Sequence, residues 1–241
     1  MNTYILVHGA WGGAWEFESV SSLLSNEDNE VVAVDLPGHG DDQTPLNGMT
    51  IRAYIRKVIE VIEQQSQPVI LVGHSLAGAV ISQVAESIPN KIDRLIYVAA
   101  ILPKTGDTPF ALMQSDTDAE LLANTTFSED QTIATLSRSV IQRILFHDVS
   151  DNNILEEIIP KMLTKQSTEP FMAVSNLSDE NFGRVKKYYI RATLDKVLSP
   201  ALQQQMITNW DLEEVLTLPS GHFPLTSMPE QLVKLIKQAS K

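Results

Sequence analysis

No cysteine occurs in the chain, so disulfides, thiol nucleophiles and thiolate metal sites are all excluded. Positive charge is scarce: 18 lysines and arginines stand against 30 acidic residues, a formal net charge of −12. Nucleic-acid binding depends on clustered cations that neutralise phosphate, and this chain has no such cluster. Apolar runs long enough to span a bilayer are missing, as is a basic amphipathic helix that could lie on one, so no membrane partner is expected. The five histidines show no H-x-x-x-H spacing, which argues against a metal site. The run from Met1 to His8 lacks a basic segment and a small-residue cleavage site, which gives a cytoplasmic location as the expectation.

The remainder is ordinary globular material: 241 residues, 43% hydrophobic and 20% charged, enough for one α/β domain with an insertion. The chain is organised around Val69-Ile-Leu-Val-Gly-His-Ser-Leu-Ala-Gly78. Four apolar residues between Pro68 and Gly73 suit a strand buried on both faces of a parallel sheet. From Leu76 the spacing of Val80, Ile81, Val84 and Ile88 is helical until Pro89 stops it. Ser75 thus lies where a strand end meets a helix N-terminus, in a turn kept small by Gly73, Ala77 and Gly78.

Similar strand signals recur at Tyr4–Val7, Val31–Val34, Leu95–Ala100, Tyr188–Leu194 and Val215–Leu218. An amphipathic helix over Ile51–Ile62, opened by Thr50, separates two of them. Strand and helix alternate with a period near 30 residues, the pattern of a mostly parallel sheet of about six strands with helices on both faces. The rhythm stops between Pro103 and Val185. Weak helical stretches at Phe110–Met113, Ile133–Phe146 and Ile154–Leu163 predict a helical cap, so the core is assigned to 1–102 and 186–241 and the cap to 103–185.

Ser75, Asp195 and His222 each fall in the loop directly after a strand, and in a parallel sheet all such loops share one edge. That convergence predicts a nucleophile, an orienting acid and a general base; Asp107 is the reserve acid. Asp35 and His39 are read as loop-ordering residues, and the glycines around them complete no dinucleotide fingerprint. A phosphate loop at His8–Trp15 fails for want of a following Gly-Lys-Ser/Thr.

The segments His8-Gly-Ala-Trp-Gly-Gly-Ala-Trp15, Asp35-Leu-Pro-Gly-His-Gly40, Gly73-His-Ser-Leu-Ala-Gly78, Asp195-Lys196 and Gly221-His222 together resemble one branch of the α/β-hydrolases. That branch contains plant methylesterases, hydroxynitrile lyases and bacterial carboxylesterases, and Leu145-Phe-His-Asp148 is similar to its pyrethroid-hydrolase-like subgroup. The resemblance implies an α/β-hydrolase fold, no cofactor, no metal, a small-molecule ester substrate and, as in many relatives, a homodimer. It also implies that the Ala10 and Leu76 amides form an oxyanion hole. The lyases place a glutamate before the serine and a lysine after the histidine; here those positions hold His74 and Phe223, which favours an esterase. Lyase chemistry and a ligand receptor built on this scaffold are the alternatives. Trp11, His74, Phe110, Phe146 and Met172 are the candidate substrate contacts.

Overall fold

The computed structural model describes residues 2–25 and 29–241. Six strands form one all-parallel sheet in the order β2-β1-β3-β4-β8-β9, with β1 (Thr3–Val7), β2 (Glu30–Val34), β3 (Val69–His74), β4 (Ile92–Val98), β8 (Lys186–Ala192) and β9 (Glu214–Leu218). The chain runs from β1 outward to β2 and then returns to the other side of β1 to place β3. At such a reversal the loops leaving neighbouring strands diverge to opposite faces and open a crevice at their carboxyl ends. The loop after β1 and the turn after β3 bound that crevice.

Both faces of the sheet are covered, which is why β3 is apolar from Val69 to Val72 and buried along its whole length. On one face Tyr4, Leu6, Ile70, Val72, Ile96 and Val98 meet helix α1 (Glu18–Ser25) and the helix Pro229–Ala239. On the other, Ile5, Val7, Leu71 and Tyr97 meet α2 (Ile51–Glu63), α3 (Ala77–Ser87) and the helix Pro200–Ile207. The Thr50 hydroxyl accepts from the Ala53 amide and caps α2, as its sequence predicts.

The excursion between β4 and β8 differs from the expected all-helical segment. It carries a three-stranded antiparallel sheet of β5 (Thr126–Phe127), β6 (Ile133–Thr135) and β7 (Lys165–Ser167) beside the helices α4 (Pro109–Ser115) and Asn152–Lys161. Ile133–Phe146 is therefore not one helix. Its first residues alternate in burial like a strand, and Ser137, whose hydroxyl accepts from the Val140 amide, starts the helical turn only afterwards. Leu136, Ile144, Leu145, Phe146 and Phe171 of this excursion belong to the same apolar core as α2 and α3.

Candidate active site

Ser75 sits at φ 56°, in the left-handed region that a side chain adopts only when its surroundings impose it. Close packing does so here. A Cβ on Gly9 would lie 2.7 Å from the Ser75 Cβ, and one on Gly78 would lie 2.1 Å from the Ile101 carbonyl oxygen. Gly73 is confined as well: a Cβ there would come within 2.9 Å of the Ile81 side chain and 3.2 Å of the Ala77 backbone. The Ser75 carbonyl accepts from Gly78 and Ile101 and so ties the turn to the strand beside it.

Three residues far apart in the chain meet at this turn. The His222 Nε2 lies 2.8 Å from the Ser75 Oγ, and the His222 Nδ1 lies 2.8 Å from the Asp195 Oδ2. Asp195 is held from its other side: Oδ1 accepts from the Val197 and Leu198 amides at 2.7 and 3.0 Å, and the buried Gln203 reaches Oδ2 at 3.4 Å. With Nδ1–H directed at the carboxylate, Nε2 presents a lone pair to the serine hydroxyl. The reserve acid Asp107 lies outside this arrangement and accepts from the Lys104 amide instead.

Ala10 and Leu76 are buried and line the small cavity above Ser75. Among the described residues neither amide donates to another group of the chain, so both are free to bind an oxygen there. The adjoining Trp11 has φ 60° and is clamped at both ends of its backbone: its amide donates to Gln166 Oε1 at 3.1 Å and its carbonyl accepts from the Leu163 amide at 2.8 Å. Gln166, fully buried in β7, also accepts from His39 at 2.7 Å and donates to the Tyr54 hydroxyl at 3.1 Å. Sequence reasoning missed Gln166 and Gln203, because a lone glutamine in a short strand or helix carries no local signal. His39 orders its loop, and Asp35 does the same by accepting from the Ala14 and Asp41 amides.

Two expected substrate contacts are corrected. His74 is buried behind the elbow, bonded through Nε2 to the His222 carbonyl at 2.8 Å and through Nδ1 to Glu16 at 3.1 Å. Side chains alternate along β3, so the residue before Ser75 faces the opposite side from the cavity. Phe146 is likewise buried, with its ring 4.4 Å from that of Phe223, and lines neither of the two cavities near Ser75. Trp11, Phe110 and Met172 do border cavity space. The inner cavity, about 20 Å³, is lined by Ser75, His222 and otherwise apolar groups such as Leu76, Leu145 and Phe223. An outer chamber of about 240 Å³ is lined by Phe110, Phe127, Thr168 and Met172 among others. Trp11, Met113 and Phe171 border both spaces.

His8 belongs to the support and not to the cavity. Burial first, and the nearby His39 second, lower its pKa from 6.5 to about 3. The ring is therefore neutral, Nδ1–H donating to the Gly9 carbonyl and Nε2 accepting from the Leu36 amide. A histidine depressed in the fold binds its proton more readily once unfolded, so its stabilising effect is complete above about pH 6.5 and is lost as pH falls toward 3. The loss approaches ~1.4 kcal/mol per pH unit in that window. Urea unfolding at pH 7 and pH 4.5 is expected to show a marked fall in midpoint for the wild type and a shallower one for His8→Gln; equal falls would assign acid sensitivity to other groups.

Among the described residues no cluster of three or more His, Cys, Asp or Glu could hold a metal, and no helix is long and apolar enough to cross a membrane. A profile of the alpha/beta hydrolase family matches residues 4–235. A putative chloroplastic methylesterase 11 of Arabidopsis thaliana is 29% identical over the whole chain, which spans 64% of that relative's length. An alpha-hydroxynitrile lyase of the same plant is 27% identical, with 95% of this chain and 93% of the lyase covered. The crystal structure of a pyrethroid hydrolase from Sphingobium faniae JZ-2 superimposes with a TM-score of 0.86 at 29% identity, covering 98% of this chain and 96% of that one.

Proposed function

The chain belongs to the alpha/beta hydrolase family, and from that premise we propose that it is a carboxylesterase that forms an acyl-enzyme on Ser75. The observation that carries this reading is the unbroken hydrogen-bond chain Ser75–His222–Asp195, with both links at 2.8 Å, on the floor of an apolar cavity. His222 Nε2 takes the Ser75 proton as Oγ attacks the ester carbonyl. The Ala10 and Leu76 amides hold the resulting oxyanion, and Asp195 stabilises the imidazolium. Collapse expels the alcohol with the proton from His222, and water, deprotonated by the same nitrogen, releases the acid. The methylesterase and pyrethroid hydrolase among the similar proteins support ester chemistry.

The two spaces suggest the substrate's shape. Only a small group fits beside Ser75 in the inner cavity, while the outer chamber takes a larger, mainly apolar one. Met172→Ala is expected to change the preference among bulky esters several-fold and to leave a small ester such as p-nitrophenyl acetate nearly unaffected, since Met172 is 53% exposed at the outer chamber. Phe146→Ala, by contrast, should lower stability by about 3–5 kcal/mol, the cost of truncating a buried phenylalanine, and show no selectivity among esters. Opposite patterns in kcat/KM and thermal unfolding would reverse these assignments.

Similarity to a hydroxynitrile lyase gives the second reading its support. Cyanohydrin cleavage needs a fixed cation for the departing cyanide, and among the described residues neither lysine nor arginine lines the inner cavity, where Phe223 packs against His222 and His74. The expected result is no cyanide release from mandelonitrile above the buffer rate, alongside hydrolysis of activated esters. Fluorophosphonate labelling followed by mass spectrometry of the Ser75 peptide tests the nucleophile; a folded protein that does not label would favour a receptor. Cyanide release abolished by Ser75→Ala would favour the lyase.

A further inference from the structure

Three consecutive side chains of the excursion between β4 and β8 grip the two loops that carry His222 and Asp195. Asp148 Oδ2 accepts from the Gly221 amide at 2.6 Å, from 73 residues away in the chain. His147 Nε2–H donates to the Leu194 carbonyl at 2.9 Å, from 47 residues away. Phe146 lies with its ring 4.4 Å from that of Phe223. The base loop is thus held on the residue before His222 and on the residue after it, and the acid loop on the residue before Asp195. The turn that delivers these side chains, Ile141–Leu145, is a single π turn, a widened helical turn that redirects the chain.

The contact is tight on both sides. A Cβ on Gly221 would come within 2.5 Å of Asp148 Oδ1 and 2.8 Å of His147 Nε2, so glycine is required for the dipeptide to reach the backbone. Asp148 Oδ1 is itself buried and has no hydrogen-bond partner among the described residues. A carboxylate oxygen that is buried without a partner costs stability, because it has given up its hydration. A destabilising contact that coincides with the base loop is what a functional constraint looks like, because surface loops with no such duty can turn the carboxylate to water. The excursion is also continuous with the main core through Leu145 and Phe146, so the dipeptide is presented by a packed base and not by a free loop.

We propose that His147-Asp148 is a positioning pair that sets the reach of His222 to Ser75 and of Asp195 to His222; this rests on the esterase reading of those three residues. Neither side chain of the pair lines the inner cavity, so the action is through the backbone of Gly221 and Leu194. The two loops are already cross-tied by the Leu194 amide donating to the Ser220 carbonyl, and the pair closes that tie from the outside. Loss of Asp148 lets Gly221, and with it the imidazole, move away from the serine. A displacement near 1 Å at a general base lowers the rate on the order of 10²-fold.

The test compares wild type, Asp148→Ala, Asp148→Asn and Ser75→Ala, with thermal unfolding measured for each. In folded Asp148→Ala, kcat on p-nitrophenyl acetate and the rate of fluorophosphonate labelling are expected to fall about 10²-fold, with KM changed less than about threefold. Asp148→Asn keeps an oxygen that can accept from Gly221 and is expected to recover most of both rates, which a loss caused by charge alone would not allow. The low-field proton resonance of the His222–Asp195 hydrogen bond should weaken in Asp148→Ala and return in Asp148→Asn. Folded Asp148→Ala with wild-type rates and an unchanged resonance overturns the proposal. Should Asp148→Ala not fold, half-buried His147→Ala takes its place: a lower kcat and a weakened resonance support the pair, unchanged ones overturn it. If Ser75→Ala hydrolyses as fast as wild type, the esterase reading fails, and the resonance, which needs no turnover, still decides whether the pair positions His222.

Discussion

Ser75→Ala is expected to leave the fold intact and to lower ester turnover by about four to six orders of magnitude, the range set by removal of a triad nucleophile. Only Oγ is lost, and its one hydrogen bond among the described residues is to His222 Nε2. The bonds that hold the elbow come from the Ser75 backbone, which accepts from Gly78 and Ile101 and donates to Val98, and alanine keeps all three. The left-handed φ of 56° is imposed by Gly9, Gly73 and Gly78 around the turn, and alanine meets the same strain there as serine. Thermal unfolding within a few degrees of wild type, together with turnover near the uncatalysed rate, would agree with this. A folded Ser75→Ala that retains a substantial fraction of wild-type kcat would remove the nucleophile from the mechanism.

Asp195→Asn is expected to cost about four orders of magnitude in kcat, through the wrong imidazole tautomer. Asparagine can still accept from the Val197 and Leu198 amides through its oxygen, so the loop keeps its shape. That assignment turns its NH₂ toward His222 Nδ1, which must then accept a proton where it should donate one. Nε2 is left carrying the hydrogen and cannot deprotonate Ser75. Asp107→Asn is expected to retain wild-type kcat, because Asp107 is bonded to the Lys104 amide and does not touch His222. Measured side by side on one activated ester, a deep loss in Asp107→Asn with little loss in Asp195→Asn would mean that the acid is misassigned.

The local grammar of strand, turn and helix was readable without coordinates wherever burial on both faces left one pattern possible. Val69–Val72 is apolar because both faces of β3 are covered, and Ser75 follows it because an elbow needs small neighbours. Asp195 and His222 could be picked from the other carboxylates and histidines because each follows a strand, and the parallel sheet collects those ends along one edge. Short segments were not legible. β5, β6 and β7 have two or three residues each, too few for a period of two to show, and the apolar spacing of Ile133–Phe146 fits a helix until Ser137 is recognised as a cap.

What the sequence by itself determined is the layer order, the elbow and the identities of the three residues that meet there, because each stands at a strand end set by its own local pattern and a parallel sheet collects those ends along one edge. Tertiary structure alone decided where the side chains around them point. His74 turns behind the elbow to Glu16 and the His222 carbonyl, Gln166 clamps Trp11 from 155 residues away, and Asp148 reaches Gly221 across 73. Such bonds join residues whose separation along the chain carries no information about their separation in space. A hydrogen bond needs alignment within a few tenths of an ångström, and that alignment exists only after the core has packed and brought the excursion down onto the edge of the sheet.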